Sequence, residues 1–430
     1  NTVRSDSARR AERLDSHGRL HPDVPRDSLL SRMRGFSRPG RKDDFAGADI
    51  DMTLDRTTGA WFRRIAAEGS VRASAGRIVT PYFPLVNELR DVDIVYSTDR
   101  VELRNTRLRS GVSSLELTGC ISNLRRALLG RGPLRIDMKI ESDTLDFNEL
   151  SRAAAIGARY GETSDEYRES LAGADSEDHL QRLIEQGSGV ADTVPTSPLV
   201  VVPANVELDA ELCAHHGVYS DLSFRTLHGS LVARDRCVQI RDLEAVTDAG
   251  KMTLTALYAT RARNDVMAGF DLSLDRVEID RLIGLVPSVD TLLPMLRSFE
   301  GVVDCRVAAT MAVDSMMNID LPSLNAACSI RGENLVLLDG ETFAEISKML
   351  KFKNRQRNLI DRISVNLLVR DNRIEMFPFV VEMDRYKAAV SGVHKLDMSF
   401  DYHISVLRSP IPFRLGINIF GTLDKFKFRI

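Results

Sequence analysis

The residues of this sequence that are best suited to chemistry do not form a known catalytic motif. Gly250-Lys251 is similar to the end of a phosphate-binding loop, but Ala245 stands where the first glycine is needed and Met252 where Ser or Thr must hold magnesium. No Gly-x-Ser-x-Gly segment occurs, and no motif pairs a nucleophile with a base. The sequence therefore predicts that the protein is not an enzyme and needs no cofactor.

Histidine and cysteine, the usual ligands of transition metals, are also poorly placed. His215 and His216 are adjacent, so that in a strand they face opposite sides, and His17 and His21 have helical spacing but lie beside Pro22. The cysteines include no Cys-x-x-Cys pair, which argues against a zinc site and a disulfide framework. The five cysteines are Cys120, Cys213, Cys237, Cys305 and Cys328. We expect no bound metal and interpret the cysteines as buried free thiols.

The overall charge of the chain is nearly balanced. The sequence has 58 basic and 61 acidic residues and a formal net charge of −3, so no basic field of the size that nucleic-acid binding needs is expected. No run of about 18 apolar residues is present that could cross a membrane as a helix. Because residue 1 is Asn, we expect the chain to be a fragment and any membrane anchor to lie upstream of it.

The clearest structural pattern lies in the C-terminal segment. Apolar and polar residues alternate through 396–406, and the same alternation recurs at 363–369, 415–419 and 426–430. A period of two predicts strands with one apolar face, because successive side chains of a strand point to opposite sides. The residues expected to line the apolar face are Ile363, Val365, Leu367, Val369, Leu396, Met398, Phe400, Tyr402, Ile404, Val406, Leu415, Ile417, Ile419, Phe426, Phe428 and Ile430.

This strand pattern occurs about three times along the chain. Three strand segments begin with arginine, at 100–103, 236–240 and 373–376, and each is followed by a short strand that ends in a small residue. The three small residues are Gly119, Ala256 and Gly392, which lie 137 and 136 residues apart. Constant spacing of this kind is typical of repeat arrays.

The repeats suggest a division of the chain into five segments. They are a flexible basic and polar linker at 1–46, a first β-repeat unit at 47–151, an acidic polar insert at 152–196, a second unit at 197–299 and a third unit at 300–430. Helical spacing of apolar residues predicts an amphipathic helix at 341–353 and a shorter helix at 287–299, and a segment with a basic end predicts another short helix at 122–129.

Together these observations predict the fold class. We expect a mainly β protein: an elongated, curled antiparallel sheet, built as a repeat array, with a few short helices. Open sheets rarely exceed about 10 strands without curling, and a curled sheet with one apolar face forms a groove. An uncovered apolar groove must hold something apolar. Each methylene removed from water contributes about 0.8 kcal/mol, so a dozen methylenes would contribute roughly 10 kcal/mol before ordering costs.

The C-terminal region also resembles a known family. Segments 409–417 and 421–428 are similar to the C-terminal region of AsmA-like proteins of the bacterial cell envelope, in the version found in Bacteroidetes-type bacteria. Segments 335–353, 384–386 and 142–150 fit the same family, so the resemblance covers most of residues 47–430. It implies a periplasmic protein anchored in the inner membrane, related in architecture to TamB-like and bridge-like lipid transfer proteins.

Two functions follow as hypotheses. In the first, the apolar residues line a lipid groove that shields phospholipid acyl chains during transport between inner and outer membrane, without chemistry, as part of outer-membrane assembly. In the second, the protein is a structural or scaffolding module with a closed β-sandwich core that binds envelope assembly proteins. Co-purified phospholipid would distinguish the first from the second.

Overall fold

A computed structural model gives the fold of the protein. It describes residues 49–50, 52–80, 83–162, 200–219, 222–248, 250–262, 265–281, 299–314, 318–337, 359–383, 386–395, 399–408, 415–422 and 425–429. The linker predicted at 1–46, the amphipathic helix predicted at 341–353 and most of the acidic insert lie outside these residues. The predicted fold class is confirmed, because the structure is mainly β and forms one long, open, curled sheet with few helices.

Nineteen strands form the sheet. They are β1 (Glu68–Thr80), β2 (Phe83–Ser97), β3 (Arg100–Ser110), β4 (Ser113–Ser122), β5 (Leu134–Asp146), β6 (Val206–Tyr219), β7 (Leu222–Arg234), β8 (Cys237–Thr247), β9 (Gly250–Ala262), β10 (Asp265–Glu278), β11 (Phe299–Glu300), β12 (Val302–Ala312), β13 (Asn325–Leu337), β14 (Leu359–Arg370), β15 (Arg373–Met383), β16 (Tyr386–Lys395), β17 (Ser399–Arg408), β18 (Leu415–Thr422) and β19 (Lys425–Arg429). The helices are α1 (Arg56–Phe62), α2 (Leu124–Leu128), α3 (Phe147–Glu162) and a 3₁₀ turn (Leu321–Ser323).

The strands follow one another across the sheet in chain order. From β1 to β10 and from β12 to β19 each strand pairs with the next through backbone hydrogen bonds, and β10 pairs with β12. The two-residue strand β11 is separated from β12 only by Gly301, and both pair with β13, so the sheet has eighteen positions. This sequential order follows from the many tight turns, since a short loop can join only antiparallel neighbours.

One pair departs from the predicted antiparallel sheet. β5 and β6 run parallel, with Leu134 opposite Val206 and Asp146 opposite Val218. Parallel neighbours need a crossover connection of a dozen residues or more. The sequence supplies it here, because α3 and the segment 163–205 lie between the two strands. The acidic insert predicted at 152–196 therefore lies within this crossover, and its first residues belong to helix α3.

A continuous row of residues that are apolar or glycine, apart from His394, crosses the whole sheet. Starting at Val71, each residue is the register partner of the next, and the row reaches Phe426 through every one of the eighteen positions. Its members are Val71, Ile94, Leu103, Gly119, Met138, Ala210, Leu231, Ile240, Ala256, Phe270, Ala309, Ala326, Val369, Ile374, His394, Phe400, Gly421 and Phe426. Since register partners share a face, one side of the sheet is predominantly apolar along its length. We call this side the apolar face.

The predicted repeat is visible in the strand register. The small residues Gly119, Ala256 and Gly392 pair with Leu103, Ile240 and Met376, respectively. At each of the three places the register shifts immediately afterwards, which marks a β-bulge. A bulge increases the local twist of a strand pair, so its recurrence fits a sheet that curls. The unit boundaries at 151, 197 and 300 stay a prediction, because strands of all three units belong to one continuous sheet.

The described helices lie over parts of the N-terminal half. α1 is capped by Asp55, whose carboxylate accepts hydrogen bonds from the N–H groups of Thr57 and Thr58. α2 falls within the helix predicted at 122–129. The helix predicted at 287–299 is wrong at its end, because Phe299 belongs to a strand. No helix among the described residues is long and apolar enough to span a membrane.

Candidate functional site

The two faces of the sheet differ in burial as well as in polarity. Along β14, Ile363, Leu367 and Val369 are buried, whereas the flanking Arg362 and Arg370 are exposed. The exposed charges pair across strands; Arg370, for example, lies 3.4 Å from a carboxylate of β15. Because a single sheet shields only the side toward which it curls, we assign the apolar face to the inside of the curl.

The apolar face contains a cavity in the C-terminal half of the sheet. Its volume is about 60 Å³, and all ten side chains around it are apolar. They are Ile279, Phe299, Val303, Ile330, Leu335, Ile363, Val365, Leu367, Met376 and Phe379. Strands β11 to β15, together with Ile279 directly after β10, thus bring residues that are far apart in the sequence around one cavity. An apolar cavity of this kind stays dry and can take up an apolar group.

Part of the predicted groove lining meets at this cavity. Ile363, Val365 and Leu367 are among its walls. Val369 is buried in the adjacent cluster, where it packs with Ile374. The four residues predicted on β14 therefore share one face, as their alternation indicated.

The other predicted lining residues lie farther along the sheet. Phe400, Ile417 and Ile419 form a separate buried cluster, against which Tyr402 and Ile404 pack. Val406 is buried on the same face of β17. The backbone register also places three further residues on this face: Leu415, Phe426 and Phe428. The predicted lining residues outside the described part of the chain are Leu396, Met398 and Ile430.

Sequence reasoning missed most of the cavity walls. The missed residues are Ile279, Phe299, Val303, Ile330, Leu335, Met376 and Phe379. One signal was present, because Val303, Cys305 and Val307 alternate with charged residues in β12. For Met376 and Phe379 the alternation was hidden, since the bulge between them changes which side chains face inward.

Two polar side chains interrupt the apolar face near its C-terminal end. His394 is buried and stacks on Phe400, with 6.2 Å between ring centroids, and its Nδ1 shares a hydrogen bond of 3.2 Å with the Tyr402 hydroxyl. Burial raises the pKa of Tyr402 above its usual range, because the ionised form would lose its hydration. The pair is thus held together within apolar surroundings.

The opposite face carries an arrangement that no sequence motif indicated. The Ser405 hydroxyl donates to Nε2 of His403 at 2.9 Å, and Nδ1–H of His403 donates to Oδ1 of Asn418 at 2.7 Å. The expectation that no nucleophile is paired with a base is therefore wrong for Ser405. The order of groups is that of a hydrolase triad, but His403 is exposed on a flat strand surface. The N–H groups of this strand are engaged in pairing on both sides, so they cannot form an oxyanion hole.

The cysteines are free thiols on several strands. Cys237 and Cys305 are buried, and the other three are partly buried. Burial raises the pKa of Cys237, which makes its thiol a poor nucleophile. Among the described residues, no group of three His, Cys, Asp or Glu side chains could hold a metal ion.

Comparison with known proteins adds no further constraint. The chain matches no protein-family model, no curated protein and no solved structure. The resemblance of its C-terminal region to AsmA-like proteins therefore stays a prediction.

Proposed function

We propose that the protein is a non-enzymatic segment of an AsmA-like envelope protein that holds phospholipid acyl chains in the groove formed by its apolar face. The observation that supports this proposal is the predominantly apolar row that crosses all eighteen positions of the sheet, from Val71 to Phe426. Strands lie about 4.8 Å apart, so the row is roughly 80 Å long. A whole bilayer core is only about 30 Å thick, so several chains could lie in succession along the groove.

The chemistry of the groove favours hydrocarbon over polar cargo. The cavity between β10 and β15 has no polar side chain in its wall. A charged or hydrogen-bonding ligand would lose its hydration there without compensation, whereas each buried methylene contributes about 0.8 kcal/mol. Acyl chains are the biological ligands that fit this balance.

The proposed setting follows from the resemblance. In it the protein lies in the periplasm, is tethered to the inner membrane by an anchor outside this chain, and passes phospholipid toward the outer membrane during outer-membrane assembly. Its protein partners would be envelope assembly proteins at the two ends of the groove. Nucleic acid has no role in this proposal.

A second candidate is a scaffolding role for the opposite face. Three exposed apolar side chains lie there on β15 to β17, namely Val380, Val393 and Leu407. Such side chains suit a protein contact. The described strands form one sheet, however, so a sandwich of two sheets is not observed in this part of the chain.

Photo-crosslinking with matched neighbours tests the lipid proposal. Crosslinkers at Val365 and Phe400 on the apolar face should capture phospholipid, and crosslinkers at the adjacent Ser364 and Asp401 on the exposed face should not. The protein is irradiated with its co-purified lipid, and adducts are identified by mass spectrometry. Equal adduct yields on both faces, or purified folded protein without lipid, would reject the groove and favour the scaffold.

A further inference from the structure

Two short segments beside the first strands of the sheet form a strongly basic surface. They are residues 53–67, which contain helix α1, and residues 123–133, which contain helix α2. Together they have six arginines and one acidic residue, Asp55, although the whole chain has a formal net charge of −3. The arginines are Arg56, Arg63, Arg64, Arg125, Arg126 and Arg131. We call this surface the basic patch.

Contacts between the two segments hold the basic patch together. The N–H of Leu54 donates to the carbonyl oxygen of Leu128 at 2.9 Å. The Arg125 guanidinium donates to the carbonyl oxygen of Ile65. Gly59 of α1 is buried where the helix packs against the residue that follows α2. Since the two segments adjoin the start of β1, the end of β4 and the start of β5, the patch lies at one rim of the sheet, near its N-terminal edge.

Trp61, the only tryptophan of the sequence, belongs to this patch and is 65% exposed. It lies two positions after Gly59 in α1, and residues two apart in a helix point in directions about 200° apart around its axis. Because Gly59 faces the α2 segment, the indole ring points away from that segment. An exposed indole contributes little to the fold, whereas tryptophan is enriched at the interface between a membrane and water.

The arginines of the patch also lack the ion pairs that occur on the neighbouring strands. Arg104 and Arg107 of β3 lie 3.3 Å and 3.4 Å from carboxylate oxygens of Glu102 and Asp91, respectively. The one carboxylate of the patch is instead bound by N–H groups at the start of α1. Four arginines of the patch are exposed and form no ion pair among the described residues: Arg63, Arg64, Arg126 and Arg131. Their charge is therefore available to an anion outside the chain.

We propose that the basic patch docks on an anionic phospholipid surface, with Trp61 among the headgroups and the arginine side chains on lipid phosphates. A guanidinium binds a phosphate through two parallel hydrogen bonds, and the indole ring combines an apolar body with a polar N–H. The exposed tryptophan favours a membrane over duplex nucleic acid, whose phosphates attract arginine but whose surface offers no apolar layer for an indole ring. The inference goes beyond the proposed groove, because docking needs no lipid on the apolar face.

Binding of vesicles to the full chain tests the proposal, with Trp61 as the probe because no other residue of the chain is tryptophan. Vesicles of phosphatidylglycerol and phosphatidylcholine in equal parts should shift the fluorescence emission to shorter wavelengths, since the indole ring leaves water. Vesicles of phosphatidylcholine alone should cause no shift. Cosedimentation with the same vesicles gives the affinity, which should fall as salt is added.

Two double variants test whether both segments belong to the docking surface. Arg126→Gln/Arg131→Gln should weaken binding to the mixed vesicles about thirtyfold, the effect expected when two basic side chains are removed from an anionic surface. Arg63→Gln/Arg64→Gln, on the other segment, should weaken it to a similar extent. The four side chains are exposed, so both variants should stay folded, which circular dichroism checks.

A matched control removes the same charge outside the patch. Arg104→Gln/Arg107→Gln changes two exposed arginines that lie farther from the rim along β3. It should change the affinity for the mixed vesicles less than about twofold, because salt screens charges that lie more than a Debye length from the membrane.

Equal weakening by the control and by the patch variants would show an effect of net charge and would overturn the patch, as would vesicle binding without a fluorescence shift. No binding to the mixed vesicles, or tighter binding to a DNA duplex, would overturn the membrane as partner. Lipid capture in the groove is measured separately by crosslinking, so this inference and the proposed function can fail independently.

Discussion

Substitution of Phe400 tests whether the apolar face is an open groove or a closed protein core. Phe400 is 9% exposed and stacks on Tyr402 with 5.1 Å between ring centroids. It also packs with Ile417 and Ile419 of the neighbouring strand. We propose two variants of this residue, Phe400→Ala and Phe400→Arg. Both lower the free energy of local unfolding, but only the effect of the arginine depends on whether its charge can reach water.

The magnitudes follow from the contacts of the ring. Phe400→Ala removes a largely buried aromatic side chain and should cost about 3 to 5 kcal/mol. Phe400→Arg loses the same ring contacts. In an open groove the guanidinium reaches water while its methylenes stay on the apolar surface, so its cost should lie within about 1 kcal/mol of the alanine variant. In a closed core the buried charge would add several kcal/mol more.

Hydrogen exchange of the β17 amides measures these costs, because it reports local unfolding in a long array that need not unfold as one unit. Asp401→Arg, on the exposed face of the same strand, is the control and should change stability by less than about 0.5 kcal/mol. Phe400→Arg should also abolish lipid capture. If Phe400→Arg destabilises β17 by several kcal/mol more than Phe400→Ala, the interior is closed protein and the groove is refuted.

Three further predictions follow from other parts of the sheet. Asp49→Ala should destabilise by about 2 to 3 kcal/mol in urea denaturation, because it removes the carboxylate 2.7 Å from the buried Arg236 guanidinium; an unchanged midpoint would contradict this ion pair. Gly392→Ala should destabilise strongly, since its Cβ would lie 2.6 Å from a backbone oxygen of β17, whereas Gly416→Ala, with 3.4 Å to its nearest side-chain atom, should be tolerated; equal melting temperatures would contradict the packing. Burial raises the pKa of Tyr258 from 10.0 to about 12, so the folded state keeps the phenol protonated and stability should fall as pH rises from about 10 to 12; Tyr258→Phe should weaken this dependence in alkaline denaturation.

The strand pattern of the sequence determined the fold class and the two faces. Alternation along 363–369 and 399–406 assigns each side chain to a face, because the period of a strand is two whatever its neighbours are. Short turns then favour antiparallel neighbours in chain order. For this reason the apolar side of β14 and β17 could be predicted without knowing what the strands pack against.

Only the tertiary structure decided which residues meet. Ile279 and Ile363 line one cavity although 84 positions separate them, and strand pairing over such distances depends on register, which alternation alone leaves open. The bulge before Phe379 changes which of its neighbours face inward, and the parallel pair of β5 and β6 needs a crossover that no local pattern specifies. Likewise Thr106 is an ordinary strand residue in the sequence. In the structure Thr106 is 3% exposed, and its hydroxyl has no hydrogen-bond partner among the described residues.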